Sequence, residues 1–408
     1  MMFIAILISF TSLSSCGSDP VVINNSDQKI DNSRHDDDEY DDEYDDEYDD
    51  EYDDDDNDDM TDDGDDPYDS GRRGSVASSY ASGNGTSSSP YIIKTAAQLR
   101  RMADEVNSGL HTTSHFRLEA DIVINENVLK SNGELNTSKK YERWIPIGSS
   151  TKGKRFSGVF DGNGHAINGL MINGGYKFVG LFGTLDGATI TDLRVSDSYF
   201  AGENAVRLGG IVANTGWWDS EIIIRRCSVT VSFGNTKSTA HVGGIHGEGN
   251  FTTIEDCCAN FKNTYVSQTV GGISSDNKGC IRNCAATVTV QAKYAGGIVG
   301  SAGSKGIENC VARITVLYTS RYAGGLAGIT GLHDVMKNSY WLNDTQILPA
   351  FGGGSDKVTI TGCDGLTEAE MKASSFITTL NNNKNRISSS LSSWEKGPDG
   401  FPMLSCFK

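Results

Sequence analysis

The sequence has little proline and no second long apolar run, and both absences exclude classes of protein. Only 7 of its 408 residues are proline while 47 are glycine. This composition excludes collagen and a proline-rich linker, and it favours many tight turns. Beyond the extreme N-terminus no apolar stretch is long enough to cross a bilayer, so we expect no integral membrane span. Lys and Arg are missing from residues 36–69, which hold 24 Asp and Glu and account for the net charge of −19.

The first residues have the layout of an export signal. Residues 1–15 form a short apolar stretch followed by small residues, and Cys16 comes next, directly before Gly17. This arrangement resembles the signal of bacterial lipoproteins, whose cysteine carries acyl chains after the signal peptide is removed. The resemblance predicts lipidation at Cys16 and a location at the outer membrane, exposed on the cell surface. The alternative is an ordinary signal peptide with an incidental cysteine.

Residues 16–90 are predicted to form a disordered tether. The sequence DDEY repeats almost perfectly over 36–56, and a Gly/Ser-rich segment follows at 71–90. A polyanion with little apolar surface cannot offset its ordering entropy, and its like charges keep it extended. We expect a spacer that holds the folded part of the chain clear of the membrane.

A Gly-rich phrase returns six times in the middle of the chain. Its copies recur every 25–34 residues, a period typical of stacked repeats. After each of the first five copies comes an aliphatic residue with a cysteine or leucine three positions on, followed by alternating apolar residues, and MKNS at 336–339 is a degenerate sixth version. Each unit predicts short strands joined at corners, with a bend at the polar residue before the cysteine and glycines where strands turn sharply or backbones approach closely. The copies are FVGLFG at 178–183, LGGIVA at 208–213, VGGIHG at 242–247, VGGISS at 270–275, AGGIVG at 295–300 and AGGLAG at 323–328.

Four cysteines occupy one equivalent position in successive repeats and predict an interior ladder. Stacked parallel strands point their Cβ atoms the same way, so we favour buried free thiols over disulfides. A ladder also spreads thiolates along a line rather than around a zinc ion. A bridge between Cys363 and Cys406, outside the ladder, stays open. The ladder comprises Cys227, Cys257, Cys284 and Cys310.

The repeats carry a resemblance to a known motif. GLFG at 180–183, GIVG at 297–300 and GLAG at 325–328 resemble the GLUG motif, which occurs in tandem in bacterial surface proteins and beside the protease part of some IgA-cleaving metallopeptidases. The resemblance covers roughly residues 91–404. It implies a right-handed parallel β-helix in an adhesin-like surface lipoprotein of a Gram-negative bacterium. It implies no catalytic residue, because the motif positions are structural glycines and aliphatics.

The predicted fold is all-β: a right-handed parallel β-helix, or solenoid, with short N- and C-terminal helical caps, preceded by a disordered acidic tail. Capping residues begin one helix at Thr95 and another at Thr367, the latter running to about Leu380. Trp394 suggests a last strand packed on the open end of the solenoid. The predicted divisions are a signal peptide at 1–15, the tether at 16–90, an N-terminal cap with the first rungs at 91–177, the repeats at 178–345 and a C-terminal cap at 346–408.

Motifs of enzyme chemistry are missing or incomplete. There is no HExxH sequence for a zinc peptidase, and 300–306 lacks the Gly-Lys-Ser/Thr of a phosphate loop. His241 and His246 flank one Gly-rich phrase and are expected at the surface or in a turn. Asp192 and Asp256, interpreted as the only carboxylates sharing a repeat position, lie two repeats apart and are expected to be polar corner residues. We predict no catalytic residue, no metal site and no cofactor.

Trp217 and Trp218 are the candidate ligand-binding residues. They fall in the longest interval between cysteine positions, beside acidic residues, where an inserted loop could present aromatic rings to a sugar. A tryptophan pair that covers an apolar side of the solenoid is the alternative.

The function predicted from these features is that of a non-catalytic, lipid-anchored, adhesin-like binding protein. Its expected partner is an unknown extracellular ligand, either a glycan or a host or matrix protein, with no nucleic acid and with membrane contact only through the lipid. One alternative is a polysaccharide lyase or glycoside hydrolase on the same fold, which two carboxylates in one groove, or Lys/Arg clustered with Asp, would favour. The other alternative is a structural surface-layer component.

Overall fold

The computed structural model describes residues 74–216, 220–303, 305–355 and 357–408. The predicted signal peptide, the lipidation site at Cys16, the acidic part of the tether and the pair Trp217 and Trp218 lie outside these residues. Within the described part, no helix is long and apolar enough to span a bilayer.

Strands are the main regular element of the described chain, which also contains three α-helices. The helices are α1 (Ala96–Asn107), α2 (Glu368–Met371) and α3 (Ser374–Ile387), and a 3₁₀ turn covers Ser405–Phe407. The first strands are β1 (Tyr91–Ile93), β2 (His115–Leu118), β3 (Ile122–Val123), β4 (Val159–Asp161), β5 (Ala166–Asn168), β6 (Met171–Asn173), β7 (Phe178–Val179), β8 (Phe182–Thr184), β9 (Thr189–Thr191), β10 (Arg194–Gly202), β11 (Arg207–Gly209), β12 (Val212–Asn214), β13 (Ile222–Arg225), β14 (Ser228–Thr236), β15 (His241–Gly243) and β16 (His246–Gly249). The remaining strands are β17 (Thr252–Glu255), β18 (Cys258–Gly271), β19 (Ser274–Asn277), β20 (Ile281–Arg282), β21 (Ala285–Gly296), β22 (Val299–Ala302), β23 (Ile307–Glu308), β24 (Val311–Gly324), β25 (Ala327–Thr330), β26 (Val335–Lys337), β27 (Tyr340–Leu342), β28 (Phe351–Gly354), β29 (Thr359–Thr361), β30 (Asp364–Leu366), β31 (Trp394–Lys396) and β32 (Pro402–Leu404).

Three parallel sheets form the walls of a β-helix, and neighbouring strands in a wall come from successive repeats. Wall 1 has ten strands in the order β1-β2-β4-β9-β13-β17-β20-β23-β26-β29. Wall 2 has 13 strands, with the path β3-β5-β10-β14-β18-β21-β24-β27-β30 and β6, β7, β11 and β15 beside it. Wall 3 has seven strands in the order β28-β25-β22-β19-β16-β12-β8. The prediction of an all-β parallel β-helix is confirmed.

In five of the six phrases two adjacent glycines are required for two different close approaches. A Cβ on the first glycine would meet the carbonyl oxygen three residues later, as at Gly271, where Ser274 O would lie 1.8 Å away. A Cβ on the second would meet the next rung, as at Gly272, where Gly297 O would lie 1.9 Å away. Real Cβ atoms do not approach oxygen this closely, so the phrase builds a tight corner whose rungs stack backbone on backbone.

The cysteine ladder lies in the interior, directly after a second corner. The residue before each cysteine has a positive φ, for example 54° at Asp256 and 52° at Asn283, which is the bend predicted from sequence. Each thiol donates to carbonyl groups around this corner, as from Cys284 Sγ to Arg282 O at 3.1 Å. Cys227, Cys257, Cys284 and Cys310 are all buried and free, as predicted. Burial raises the pKa of the Cys227 and Cys284 thiols well above the usual range.

Helix α1 caps the N-terminal end of the solenoid as the sequence predicts. The Thr95 side chain accepts a hydrogen bond from the backbone N–H of Gln98 at 3.2 Å. The apolar face of the helix packs into the core that runs through the rungs. Its buried members are Leu99, Met102, Ala103 and Val106.

The C-terminal segment differs from the prediction in two respects. The capping box at Thr367 and Glu370 begins only the short helix α2, and α3 starts separately after a break. The hairpin β31–β32 packs against the side of the solenoid, rather than on its open end. Trp394 Nε1 donates to Asn283 Oδ1 at 2.6 Å, and Leu380 O accepts from Asn309 Nδ2 at 3.2 Å. Side chains at the cysteine corner therefore fasten the C-terminal segment along several rungs.

Cys363 and Cys406 do not form the bridge that the sequence left open. Both thiols are free. Cys363 Sγ lies 3.7 Å from Thr361 O on its own corner, whereas Cys406 Sγ lies 4.0 Å from Asp256 O, several rungs earlier. The lateral packing of the C-terminal segment explains the absence of a bridge, because it carries Cys406 away from the last rung.

Candidate functional site

An ion pair crosses the glycine corner between β11 and β16. Arg207 donates from Nε to Glu248 Oε2 at 2.9 Å and from Nη2 to Glu248 Oε1 at 3.3 Å. His241 Nδ1 lies 3.5 Å from Glu248 Oε2. Burial would raise the pKa of Glu248, but His241 and Arg207 together hold it below its usual range. Glu248 is only 8% exposed, so this carboxylate is ionised and enclosed.

A second carboxylate, Asp276, follows Glu248 on the next rung. The two residues are register partners in the pairing of β16 with β19. Burial, the Glu248 carboxylate and Asp334 raise the pKa of Asp276 to about 7, although Lys278 and the Ser301 side chain act in the opposite direction. The two neighbouring carboxylates are therefore driven toward opposite protonation states near neutral pH.

Glu248 and Asp276 were not predicted as a pair, and the expectation that only Asp192 and Asp256 share a repeat position is wrong. Glu248 stands three residues after Ile245, and Asp276 stands three residues after Ile273. Counting from the aliphatic residue of each Gly-rich phrase would have aligned them.

The residues singled out from sequence have structural contacts. Asp192 forms a two-point pair with Arg226, at 2.6 Å for each hydrogen bond. Asp256 accepts from Asn283 Nδ2 and from the backbone N–H of Ser392, which makes it part of the C-terminal fastening. These contacts agree with the prediction of polar corner residues.

The histidine prediction is wrong for His246. This residue is fully buried, and its ring nitrogens contact Ser274 Oγ at 2.8 Å and Thr215 Oγ1 at 3.0 Å. Burial lowers the pKa of His246 to about 4, so the ring is neutral. Both nitrogens are engaged by hydroxyl groups, and His246 is a polar member of the interior. Among the residues that the structure describes, no group of three or more His, Cys, Asp and Glu is placed to hold a metal ion.

The third corner of the solenoid, which precedes the Gly-rich phrases, exposes tyrosines and cations. We call its segments 264–269, 291–294 and 317–322 the tyrosine corner. They come from the long strands β18, β21 and β24, whose register shifts here by bulges. Tyr265 is 44% exposed and Tyr318 is 50% exposed, beside exposed Val266 and Leu317. The two tyrosines lie two rungs apart, and large exposed aromatic groups this close together are typical of a binding surface.

Two further tyrosines in this corner contact its two cations, Lys293 and Arg321. Tyr294 and Tyr322 are register partners whose ring centres lie 6.0 Å apart. The Arg321 guanidinium lies 5.4 Å from the centre of the Tyr322 ring and donates to the Tyr294 hydroxyl at 3.3 Å. The Lys293 ammonium lies 5.3 Å from the centre of the Tyr294 ring. Cation–π contacts of this kind orient a positive charge without neutralising it.

A cleft of about 310 Å³ lies between wall 2 and the C-terminal segment. Arg313 donates to Asp399 at 2.8 Å and to Thr287 Oγ1 at 3.0 Å, and its guanidinium packs 4.2 Å from the centre of the Phe401 ring. Lys372 packs against the same ring at 4.5 Å. The charged and aromatic groups that line the cleft contact one another across it. We therefore interpret the cleft as the contact surface between the C-terminal segment and wall 2.

Fold and surface together define a parallel β-helix with a structural interior and an exposed corner of tyrosines and cations. The chain matches no protein-family model. Among solved structures, it is similar to a candidate immunoglobulin A1 protease from Bacteroides ovatus, with a TM-score of 0.58 and 21% identity over 81% of this chain and 96% of the other. At this identity the similarity establishes the fold alone.

Two curated proteins share part of the sequence. A candidate Gly-rich membrane protein of Evansella cellulosilytica is 33% identical over 145 residues, which is 35% of this chain. Halomucin of Haloquadratum walsbyi is 31% identical over 184 residues, or 44% of this chain. The matches span only 15% and 2% of the lengths of these two relatives.

Proposed function

We propose that the chain is a cell-surface protein that binds carbohydrate through the side of its β-helix, in an adhesin-like and non-catalytic role. The observation that carries the proposal is the tyrosine corner, where Tyr265 and Tyr318 present exposed rings on nearby rungs. Aromatic faces suit the apolar faces of sugars, and a row of them along a solenoid suits an extended ligand. The GLUG-like repeats support the same role.

Attachment to the membrane through Cys16 completes the proposal. The names of the two relatives, a Gly-rich membrane protein and halomucin, support a location at the membrane or cell surface. The lipid anchor and the outer membrane are proposed from the sequence around Cys16. Labelling with a fatty acid should mark the wild-type chain and leave Cys16→Ala unmarked; equal labelling of both would refute the anchor.

A glycan array tests carbohydrate binding. The full chain carrying Cys16→Ala should bind a subset of glycans, and adding Tyr265→Ala with Tyr318→Ala should reduce binding about tenfold or more, because each lost stacking contact contributes on the order of 1 kcal/mol. The matched variant with phenylalanine at both positions retains the rings and should bind nearly as well. Binding that survives both alanine substitutions would remove the tyrosine corner from the proposal.

The tryptophan pair predicted from sequence is a separate arm of the same array. Trp217→Ala with Trp218→Ala should weaken binding if this tryptophan pair also contacts sugar. Unchanged binding by that variant would leave the tyrosine corner as the ligand surface.

A hydrolase is the second candidate, and the adjacent carboxylates Glu248 and Asp276 are the observation that favours it. A neutral acid beside an ionised carboxylate is the arrangement that glycoside hydrolysis uses. Against it, Glu248 is enclosed and held at two points by Arg207, which suits a structural pair better than a base. Release of reducing ends from bound glycans, lost in both Glu248→Gln and Asp276→Asn, would favour the hydrolase over the binding protein.

A further inference from the structure

On wall 1 of the solenoid, cations alternate with carboxylates on adjacent rungs. On wall 1, Arg225 Nε lies 3.0 Å from Glu255 Oε2, and Arg282 Nη1 lies 3.5 Å from Glu255 Oε1. The register continues the alternation of charge along the wall. The residues in order are Arg225, Glu255, Arg282, Glu308 and Lys337. Each carboxylate of this ladder lies between two cations, so most of its charge is neutralised by neighbouring rungs and only one positive charge remains in excess.

The tyrosine corner breaks this rule. Its three segments contain Lys293 and Arg321 and no Asp or Glu. Within the described residues, neither cation lies within 4.0 Å of a carboxylate oxygen; their contacts are the Tyr294 and Tyr322 rings. Arg321 is exposed and Lys293 is half-buried. Two oriented charges without a counter-charge give this surface a positive field that an anion can meet.

One further exposed cation lies in the same corner of an earlier rung. Lys237 precedes β15 and is exposed. Arg207, nearer the N-terminus, adds no free charge because Glu248 pairs with it. From the rung of β15 to that of β24 there are three steps, so at roughly 4.8 Å for each step the cations from Lys237 to Arg321 extend over about 14 Å. A ligand that contacts all of them must be extended and carry repeated negative charges.

We propose that the tyrosine corner binds an acidic polysaccharide, with its sulfate or carboxylate groups at Lys293 and Arg321 and its sugar rings at Tyr265 and Tyr318. The inference rests on the proposed function, because it names the class of carbohydrate bound at the same corner. The two pairs of residues have different tasks. Exposed rings contact the sugar, whereas the rings of Tyr294 and Tyr322 hold the cations toward it.

The test compares dextran sulfate with neutral dextran of the same length, both immobilised, using the full chain with Cys16→Ala. We expect dextran sulfate to be preferred at ~100 mM salt, with the preference falling as salt rises. Lys293→Gln with Arg321→Gln should weaken dextran sulfate binding about ten- to thirtyfold, since each cation near an anionic surface contributes on the order of a fivefold effect. Binding to neutral dextran should change less than twofold.

The matched control changes the net charge by the same amount elsewhere. Lys396 and Arg386 are exposed on the C-terminal segment, and Lys396→Gln with Arg386→Gln should leave binding within twofold. An equal loss in this control would mean that only net charge matters and would overturn the inference. Equal binding of dextran and dextran sulfate would also overturn it, as would tighter binding of single-stranded DNA than of dextran sulfate.

The outcomes separate this inference from the proposed function. Neutral glycan binding that requires Tyr265 and Tyr318, without preference for the sulfated polymer, would keep the carbohydrate-binding function and overturn its acidic specificity. A sulfate preference that requires Lys293 and Arg321, with binding unaffected by the tyrosine substitutions, would support the cation site and refute the stacking role.

Discussion

Replacing Asp276 with asparagine should stabilise the protein at pH 8 and have little effect at pH 4. The pKa of this carboxyl rises from 3.8 to about 7 on folding, because burial, Glu248 and Asp334 all oppose its ionisation. An acid with a raised pKa binds its proton more tightly in the folded chain. Folding stability therefore falls as pH rises from about 4 to about 7, and the loss is complete above the folded pKa.

The size of the expected stabilisation follows from the shift in the pKa of Asp276. About three pKa units correspond to about 4 kcal/mol, and partial exposure of Asp276 to solvent lowers the expected penalty to about 2–4 kcal/mol. Asparagine resembles the protonated acid in shape and never ionises, so Asp276→Asn should escape this penalty. Lys278 and the Ser301 side chain lower the pKa of Asp276 and so reduce the penalty, and both residues remain in the variant.

Urea unfolding of wild type and Asp276→Asn at pH 4, 5, 6, 7 and 8 measures the effect. The two unfolding free energies should nearly coincide at pH 4 and separate progressively to pH 8, with the variant more stable. Glu248→Gln is the control of opposite sign, because it leaves the buried Arg207 without its carboxylate and should destabilise the chain at pH 8. Parallel pH profiles for wild type and Asp276→Asn, or destabilisation by both substitutions, would refute the reasoning.

Three further predictions concern the corners and the tail. Gly297→Ala should destabilise the solenoid by more than about 2 kcal/mol, because its Cβ would lie 2.0 Å from Gly325 O, whereas Gly175→Ala, with its nearest atom at 3.8 Å, should be neutral in the same urea titration. Asn283→Ala should cost about 3 kcal/mol and expose the C-terminal segment to limited proteolysis, since Trp394 Nε1 loses its acceptor; equal cleavage rates would contradict this. Deleting residues 36–69 should speed association with dextran sulfate, because 24 acidic residues are removed, and unchanged rates in stopped flow would exclude competition by the tail.

The interior of the solenoid could be predicted from sequence because its signals are local and repeated. One aliphatic residue and one cysteine per repeat define inward positions, and the bend between them appears as a positive φ at Asp192, Arg226 and Asn309. The paired glycines identified a corner with close backbone approach. These features recur in each rung, so even weak individual signals reinforce one another.

The surface was less predictable because its important contacts join distant parts of the chain. No local pattern indicates that Trp394 will hydrogen-bond to Asn283, 111 residues earlier, so the lateral packing of the C-terminal segment was missed. The tyrosine corner depends on register shifts that bring separate segments together. Glu248 and Asp276 are different, because their pairing could have been predicted from sequence. Each stands three positions after the aliphatic residue of its Gly-rich phrase, so aligning the phrases places them on adjacent rungs.

The bulges at the tyrosine corner have a consequence for how such a protein can diverge. Rungs of 25–34 residues stack on one another because extra residues leave the ladder at corners, where they do not disturb the buried positions. Ligand binding can then change by insertion or substitution at the tyrosine corner while the buried positions of the solenoid stay constant. For the same reason this corner is the natural place to graft a new ligand specificity onto the chain.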